Sequence, residues 1–278
     1  MSHSIRSVRR IAIAVVVSLV CIAGTVVGLA GSADAHAKPI TLNHFVCYQA
    51  TGTGFTPPTV ILKNQFNPYG FSPHVSSPDL HCNPVAESAN SKAYPINGAT
   101  SNDHLLCFAV TAPVQPTYLV KVRNEFGRFF LETGQPSDLC LPTWKSLTGP
   151  PNKTPNQPAG LDHFTCYPAT FAPQQPGSKS KMKIPAADTI GLTDQFGFSH
   201  VAVLPESMSL CVPTTKIVGA RTYQAEQPTE HLLCMLVSQT PFVSGVWDQN
   251  QFGTGPVTLY RTLSLCLPST KIVVSRLS

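Results

Sequence analysis

Ionised side chains are scarce in this chain. Only 12% of its 278 residues are Asp, Glu, Lys or Arg, about half the usual share for a soluble protein. Helical periodicity is missing too. Beyond residue 37 no stretch spaces its apolar residues at 3.6, and 26 prolines and 18 glycines interrupt the chain. These features exclude a helical bundle or a coiled coil. Disorder is excluded by the opposite balance, because 42% of the residues are hydrophobic and the net charge is only +5. The chain also lacks Gly-x-Ser-x-Gly, a phosphate-cradling glycine loop and His-Glu-x-x-His. No spacing singles out a pair of carboxylates. Serine stands near histidine in Gly70-Phe71-Ser72-Pro73-His74 and in Gly197-Phe198-Ser199-His200. Sequence neighbours are not triad partners, and both stretches read as turns. No catalytic residue and no cofactor is assigned.

The first segment that is present is not fold. Arg6, Arg9 and Arg10 precede an apolar run from Ile11 to about Ala30, which exits through Gly31-Ser32-Ala33-Asp34-Ala35-His36-Ala37. This is the layout of a secretory signal peptide, residues 1–37, cleaved before His36 or Lys38. The alternative is an uncleaved anchor crossing a membrane through residues 11–30. Either way the expected location is secreted or at the cell surface, and Cys21 leaves with the signal. Removing Arg6, Arg9, Arg10 and Asp34 lowers the total of +5 to a net +3. That is too weak and too scattered for nucleic acid. The partner classes that remain are a protein or a cell-surface glycan.

Eight cysteines remain, and they fall in register. Four follow a histidine by three: His44-Phe45-Val46-Cys47-Tyr48, His104-Leu105-Leu106-Cys107-Phe108, His163-Phe164-Thr165-Cys166-Tyr167 and His231-Leu232-Leu233-Cys234-Met235. Four precede a proline: Cys82-Asn83-Pro84, Cys140-Leu141-Pro142, Cys211-Val212-Pro213 and Cys266-Leu267-Pro268. Between them stands a third mark: Asn64-Gln65-Phe66-Asn67, Asn124-Glu125-Phe126-Gly127, Asp194-Gln195-Phe196-Gly197 and Asn250-Gln251-Phe252-Gly253. Lysine follows the second cysteine by five in three copies, as Lys145, Lys216 and Lys271; copy one has His81 before its cysteine and no such lysine. Three marks in one order, four times, define an internal repeat. Copies one and three share His-Phe-x-Cys-Tyr, and two and four share His-Leu-Leu-Cys, which points to a duplicated pair.

Each copy reads as strands. Thr59-Val60-Ile61-Leu62 is β-branched, His200 to Leu204 alternates, and Tyr118–Arg123 and Arg128–Leu131 flank the third mark. The Asn-Gln-Phe-Gly mark reads as a strand end feeding a turn, with the aromatic in the core and glycine at positive φ. The expected fold is all-β: four tandem β-meander units of about four strands, arranged as two paired sandwich- or barrel-like domains. Residues 38–145 form the first pair, the Pro-rich 146–160 a linker, and 161–278 the second pair. Trp144 and Trp247, the only tryptophans, read as core or cap residues.

The simplest use of the cysteines is one disulfide per unit: Cys47–Cys82, Cys107–Cys140, Cys166–Cys211 and Cys234–Cys266. Export supplies the oxidising compartment. Pairing between neighbouring units competes with this. Zinc on His-x-x-Cys plus the distant cysteine would have three soft ligands where structural sites take four. In a strand, moreover, residues three apart face opposite ways. His44, His104, His163 and His231 therefore serve the repeated unit, and no metal ligand is assigned. The three marks together resemble a bacterial family of exported tandem-repeat domains without an assigned activity. The resemblance covers most of residues 41–272; it implies secretion and repetition, and copy one departs from it at its closing strand. The expected role is a structural or binding module, with a secreted hydrolase using a cleft between the pairs as the alternative.

Overall fold

The structure, a computed structural model, describes residues 42–97, 102–173, 181–185 and 189–277; the expected signal segment 1–37 lies outside them. All regular structure among these residues is β. Unit one supplies β1 (His44–Gly52), β2 (Ile61–Lys63), β3 (His74–Ala89) and β4 (Lys92–Tyr94). Unit two supplies β5 (His104–Thr111), β6 (Tyr118–Asn124), β7 (Gly127–Thr133) and β8 (Asp138–Ser146). Unit three supplies β9 (His163–Phe171), β10 (Lys181–Met182), β11 (Ile190–Asp194), β12 (Gly197–Val201), β13 (Val203–Val218) and β14 (Arg221–Tyr223). Unit four supplies β15 (His231–Val237), β16 (Pro241–Asn250) and β17 (Gly253–Arg276). The closing strand of copy one is as regular as the others.

The first-cysteine and second-cysteine strands of all four units form one closed antiparallel ring. Within units, β1 pairs β3, β5 pairs β8, β9 pairs β13 and β15 pairs β17. Between units, β3 pairs β5, β8 pairs β9, β13 pairs β15, and β17 returns to β1. The expected division into two paired domains is therefore corrected. Residues 39–278 make a single compact unit, and the β8–β9 ladder joins the supposed halves as β3–β5 joins units one and two. The reason is strand edges: four strands from one pair would leave two unpaired edges, and eight strands close. Residues 146–160 lie against unit four instead. Lys153 and Gln249 exchange backbone-to-side-chain hydrogen bonds, and Trp144 Nε1 donates to the Pro155 carbonyl.

Period two sorts the side chains. Phe45, Cys47, Leu105, Cys107, Phe164, Cys166, Leu232 and Cys234 point inward, where they form a core with the four other cysteines. Four disulfides line it, around a cavity of about 90 Å³: Cys47–Cys82, Cys107–Cys140, Cys166–Cys211 and Cys234–Cys266, each joining residues directly opposite on neighbouring strands. The outward positions, among them Val46, Tyr48, Leu106, Phe108, Tyr167, Leu233 and Met235, belong to a second core. That core is covered by hairpins β6–β7, β11–β12 and β16–β17 and by the β2 segment. Each closing strand then runs past its proline to pair with the hairpin region of the unit two further on. Thus β3 reaches β11, β8 reaches β16, β13 reaches β2 and β17 reaches β6.

The third mark is a hairpin tip. In every copy the Asn or Asp side chain accepts the amide of the aromatic two residues on: Asn64 from Phe66, Asn124 from Phe126, Asp194 from Phe196 and Asn250 from Phe252. This is an Asx turn. Phe66, Phe126 and Phe252 are buried and Phe196 is half-buried. Gly127, Gly197 and Gly253 follow at φ of 126°, 119° and 144°, values that disfavour a residue with a Cβ. Copy one has Asn67 there and returns through a longer loop to Phe71, which pairs with Leu62.

Peptide mapping of the unreduced protein is expected to recover the four within-unit disulfides. Replacing Cys166 and Cys211 together by alanine should lower the unfolding free energy by about 3–4 kcal/mol, read by urea denaturation.

Candidate functional site

The outward face of the ring carries a second repeated polar motif, invisible until the closing strands are placed. Each unit histidine sits on the first ring strand, opposite Val85, Thr143, Thr214 or Ser269 on the second. Two residues beyond that position comes Glu87, Lys145, Lys216 or Lys271. Each of these side chains meets the hairpin tip of the next unit. The ammonium of Lys145 lies 5.2 Å from the Phe196 ring centroid, that of Lys216 4.6 Å from Phe252, and that of Lys271 4.2 Å from Phe66. Lys271 also donates to Gln65 Oε1. His104 and His163 are buried beside Lys145 and Lys216, and His231 beside Lys271. Three of the four unit seams therefore hold a histidine, a lysine and an aromatic face.

Burial governs the titration of these groups. It lowers Lys145, Lys216 and Lys271 to about 7. It holds His104 and His163 well below the usual imidazole range and brings His231 down to about 3, with the neighbouring lysine acting in the same direction. Lys216 is fully buried, and its ammonium has no hydrogen-bond acceptor; the rings of Phe252 and Tyr223 are its compensation.

The fourth seam departs from this pattern. Where the others have lysine, unit one has Glu87; where the other tips have Gln65, Gln195 and Gln251, unit two has Glu125. Both replacements fall at one place. His44 Nδ1 lies 2.7 Å from Glu87 Oε2 and 3.7 Å from Glu125 Oε1. One ligand-type atom from each of the three residues fits within 4.8 Å of the other two. Tyr94 of β4 packs its ring 4.9 Å from the imidazole and lines the same cleft as Glu125. Burial raises both carboxyls to about 7, with His44 countering on Glu125. Glu87 Oε1 and Glu125 Oε1 are buried without a hydrogen-bond partner. The group opens through Glu125 and Tyr94 into a cleft of about 410 Å³, whose rim carries the exposed Lys92 and Lys183.

Two other polar groups are held by contacts within the fold, though Asp248 Oδ1 is also buried without a partner. His81, Asn83, Lys145, Asp194 and Asp248 form a buried network: His81 Nδ1 meets Asp248 at 2.7 Å, and Asn83 donates to Asp194 at 2.7 Å. Lys145 donates to Asn83, and Tyr48 to Asp194. Asp194 stands where the other tips have Asn, and its acceptors are filled by Asn83 and Tyr48. At one end of the ring, Asn43, Asp103, Asp162 and Glu230 line a cavity of about 210 Å³. Asn43 accepts the Asn97 amide, and Asp162 the amides of Glu226 and Gln227, so these two side chains are spent on capping backbone.

The cysteines lie inside the ring and the four histidines outside, so each His-x-x-Cys points two ways. Reading the sequence missed Glu87 and Glu125. The signal was present: each is the acidic exception at a position where the other three copies agree. No family model, no curated protein and no solved structure matches this chain.

Between pH 8 and 10 the three lysines are neutral when folded and protonated when unfolded. The unfolded state then binds more protons, so stability should rise with pH, by at most about 1.4 kcal/mol per unit for each lysine. Lys216→Met should raise stability at pH 7 and flatten this slope, as measured by urea midpoints at pH 7, 8, 9 and 10.

Proposed function

We propose that this protein is an exported binding module, a disulfide-stapled ring that works at or outside the cell surface and binds its ligand at the seam between units one and two. The observation that carries the reading is the break in repetition. Three seams spend the same histidine, lysine and aromatic on packing, whereas the fourth places His44, Glu87, Glu125 and Tyr94 at a cleft. A site that occurs once in a fourfold scaffold is where selection for a ligand would differ from selection for the fold. Four disulfides fit an oxidising compartment. No helix among the described residues is long and apolar enough to cross a membrane. A hydrolase with its site between the two pairs draws no support from a seam that is a continuous β8–β9 ladder.

The test is fractionation of cells producing the full chain, with ester, glycoside and peptide substrates assayed on the exported product. Export with all eight ring cysteines oxidised, and turnover at background, is the expected result. Turnover abolished by Glu125→Gln would make the protein an enzyme, and cytoplasmic retention with free thiols would end the export reading.

A further inference from the structure

We infer that His44, Glu87 and Glu125 bind a divalent transition-metal ion, zinc in the first instance, with its open coordination positions facing the cleft beside Tyr94. The inference rests on the proposed ligand seam and specifies what that seam takes.

Three observations lead there. The donor set is one imidazole nitrogen and two carboxylate oxygens, drawn from β1, β3 and the β6–β7 tip. A three-residue set of this kind, with solvent or substrate completing the sphere, is how open zinc sites are built. The spacing suits it. At bonds near 2.0–2.2 Å, tetrahedral ligand atoms stand about 3.3 Å apart, and the two contacts of His44 Nδ1, at 2.7 and 3.7 Å, bracket that edge.

The second observation is unspent acceptors. The Glu87 side chain is fully buried, yet its Oε1 has no hydrogen-bond partner, and neither has Glu125 Oε1. A buried carboxylate oxygen without a donor is destabilising, and a cation supplies what is missing. The third is charge at equivalent positions. At the other seams the same two places hold Lys and Gln, one formal positive charge; here they hold two carboxyls. Two carboxylates and a neutral imidazole balance a divalent ion. Tyr94 packs its ring 4.9 Å from the His44 imidazole and so holds one ligand in position, as outer groups around metals commonly do. Lys92 and Lys183 line the same cleft but are exposed, where water screens their charge.

The experiment is titration calorimetry of chelator-stripped full-length protein with zinc chloride, and cobalt(II) absorption spectra as an independent readout of a protein-held site. The expected result is one saturable site per chain and a raised melting temperature with zinc. Glu87→Gln or Glu125→Gln should weaken binding more than about 100-fold, and Tyr94→Phe about tenfold. The decisive variant is Glu87→Lys with Glu125→Gln, which restores the Lys and Gln of the other seams. It should keep the fold and all four disulfides while losing the site. No saturable binding to the wild-type protein, or unchanged affinity in that double variant, overturns the metal assignment. Neither result touches the export and turnover measurements on which the binding-module reading stands or falls.

Discussion

The structure depends on closing eight strands into a ring whose interior is lined by sulfur. An eight-stranded barrel has a bore just wide enough for side chains, and here one cysteine from every strand occupies it. Each disulfide ties directly opposed residues of one unit, and the Phe45, Leu105, Phe164 and Leu232 side chains fill the adjoining layer. With the inward positions committed, the pleat puts histidine, leucine and tyrosine on the outer face. The hairpins must then cover that face, and each closing strand overshoots the ring to hold a hairpin two units away.

Repetition turns the molecule into its own comparison set. Where three units agree, the shared residues have shared structural work: the Asx turn at the tip, the lysine over the next aromatic, the hydroxyl of Thr143, Thr214 or Ser269 bonding the carbonyl two residues back. Where one unit differs, the change is compensated nearby. Val85 takes the hydroxyl position in unit one, and Asp194, the tip residue facing it, is an acid held by Asn83 and Tyr48 instead. Glu87 and Glu125 are different. Their pairing brings two acids together and leaves oxygens over, which is the opposite of compensation within the fold.

Much of the architecture was legible in the residues. Strand alternation placed histidine and cysteine on opposite faces, and the tip motif announced a turn with a buried aromatic. All-β structure stapled by disulfides followed from proline, glycine and cysteine placement. Two things were not legible. Which units are neighbours is set by ladders between strands such as β17 and β1, more than two hundred residues apart, and no local pattern encodes that register; the alternating copies suggested pairs instead. The candidate site hid for a related reason. Glu87 looked like a missing lysine and Glu125 like a small variation in a turn, and only the seam that joins β3 to the next unit's tip shows them as one event.

Closure also bears on the length of such a chain. A half of it, two units long, presents a raw edge at each side and cannot satisfy itself. Two identical halves, however, meet around a twofold axis through the same β8–β9 and β17–β1 contacts. A half-length chain of this design could close its ring only as a symmetric dimer. A single polypeptide closes it independently of concentration and lets one of two equivalent seams differ from the other.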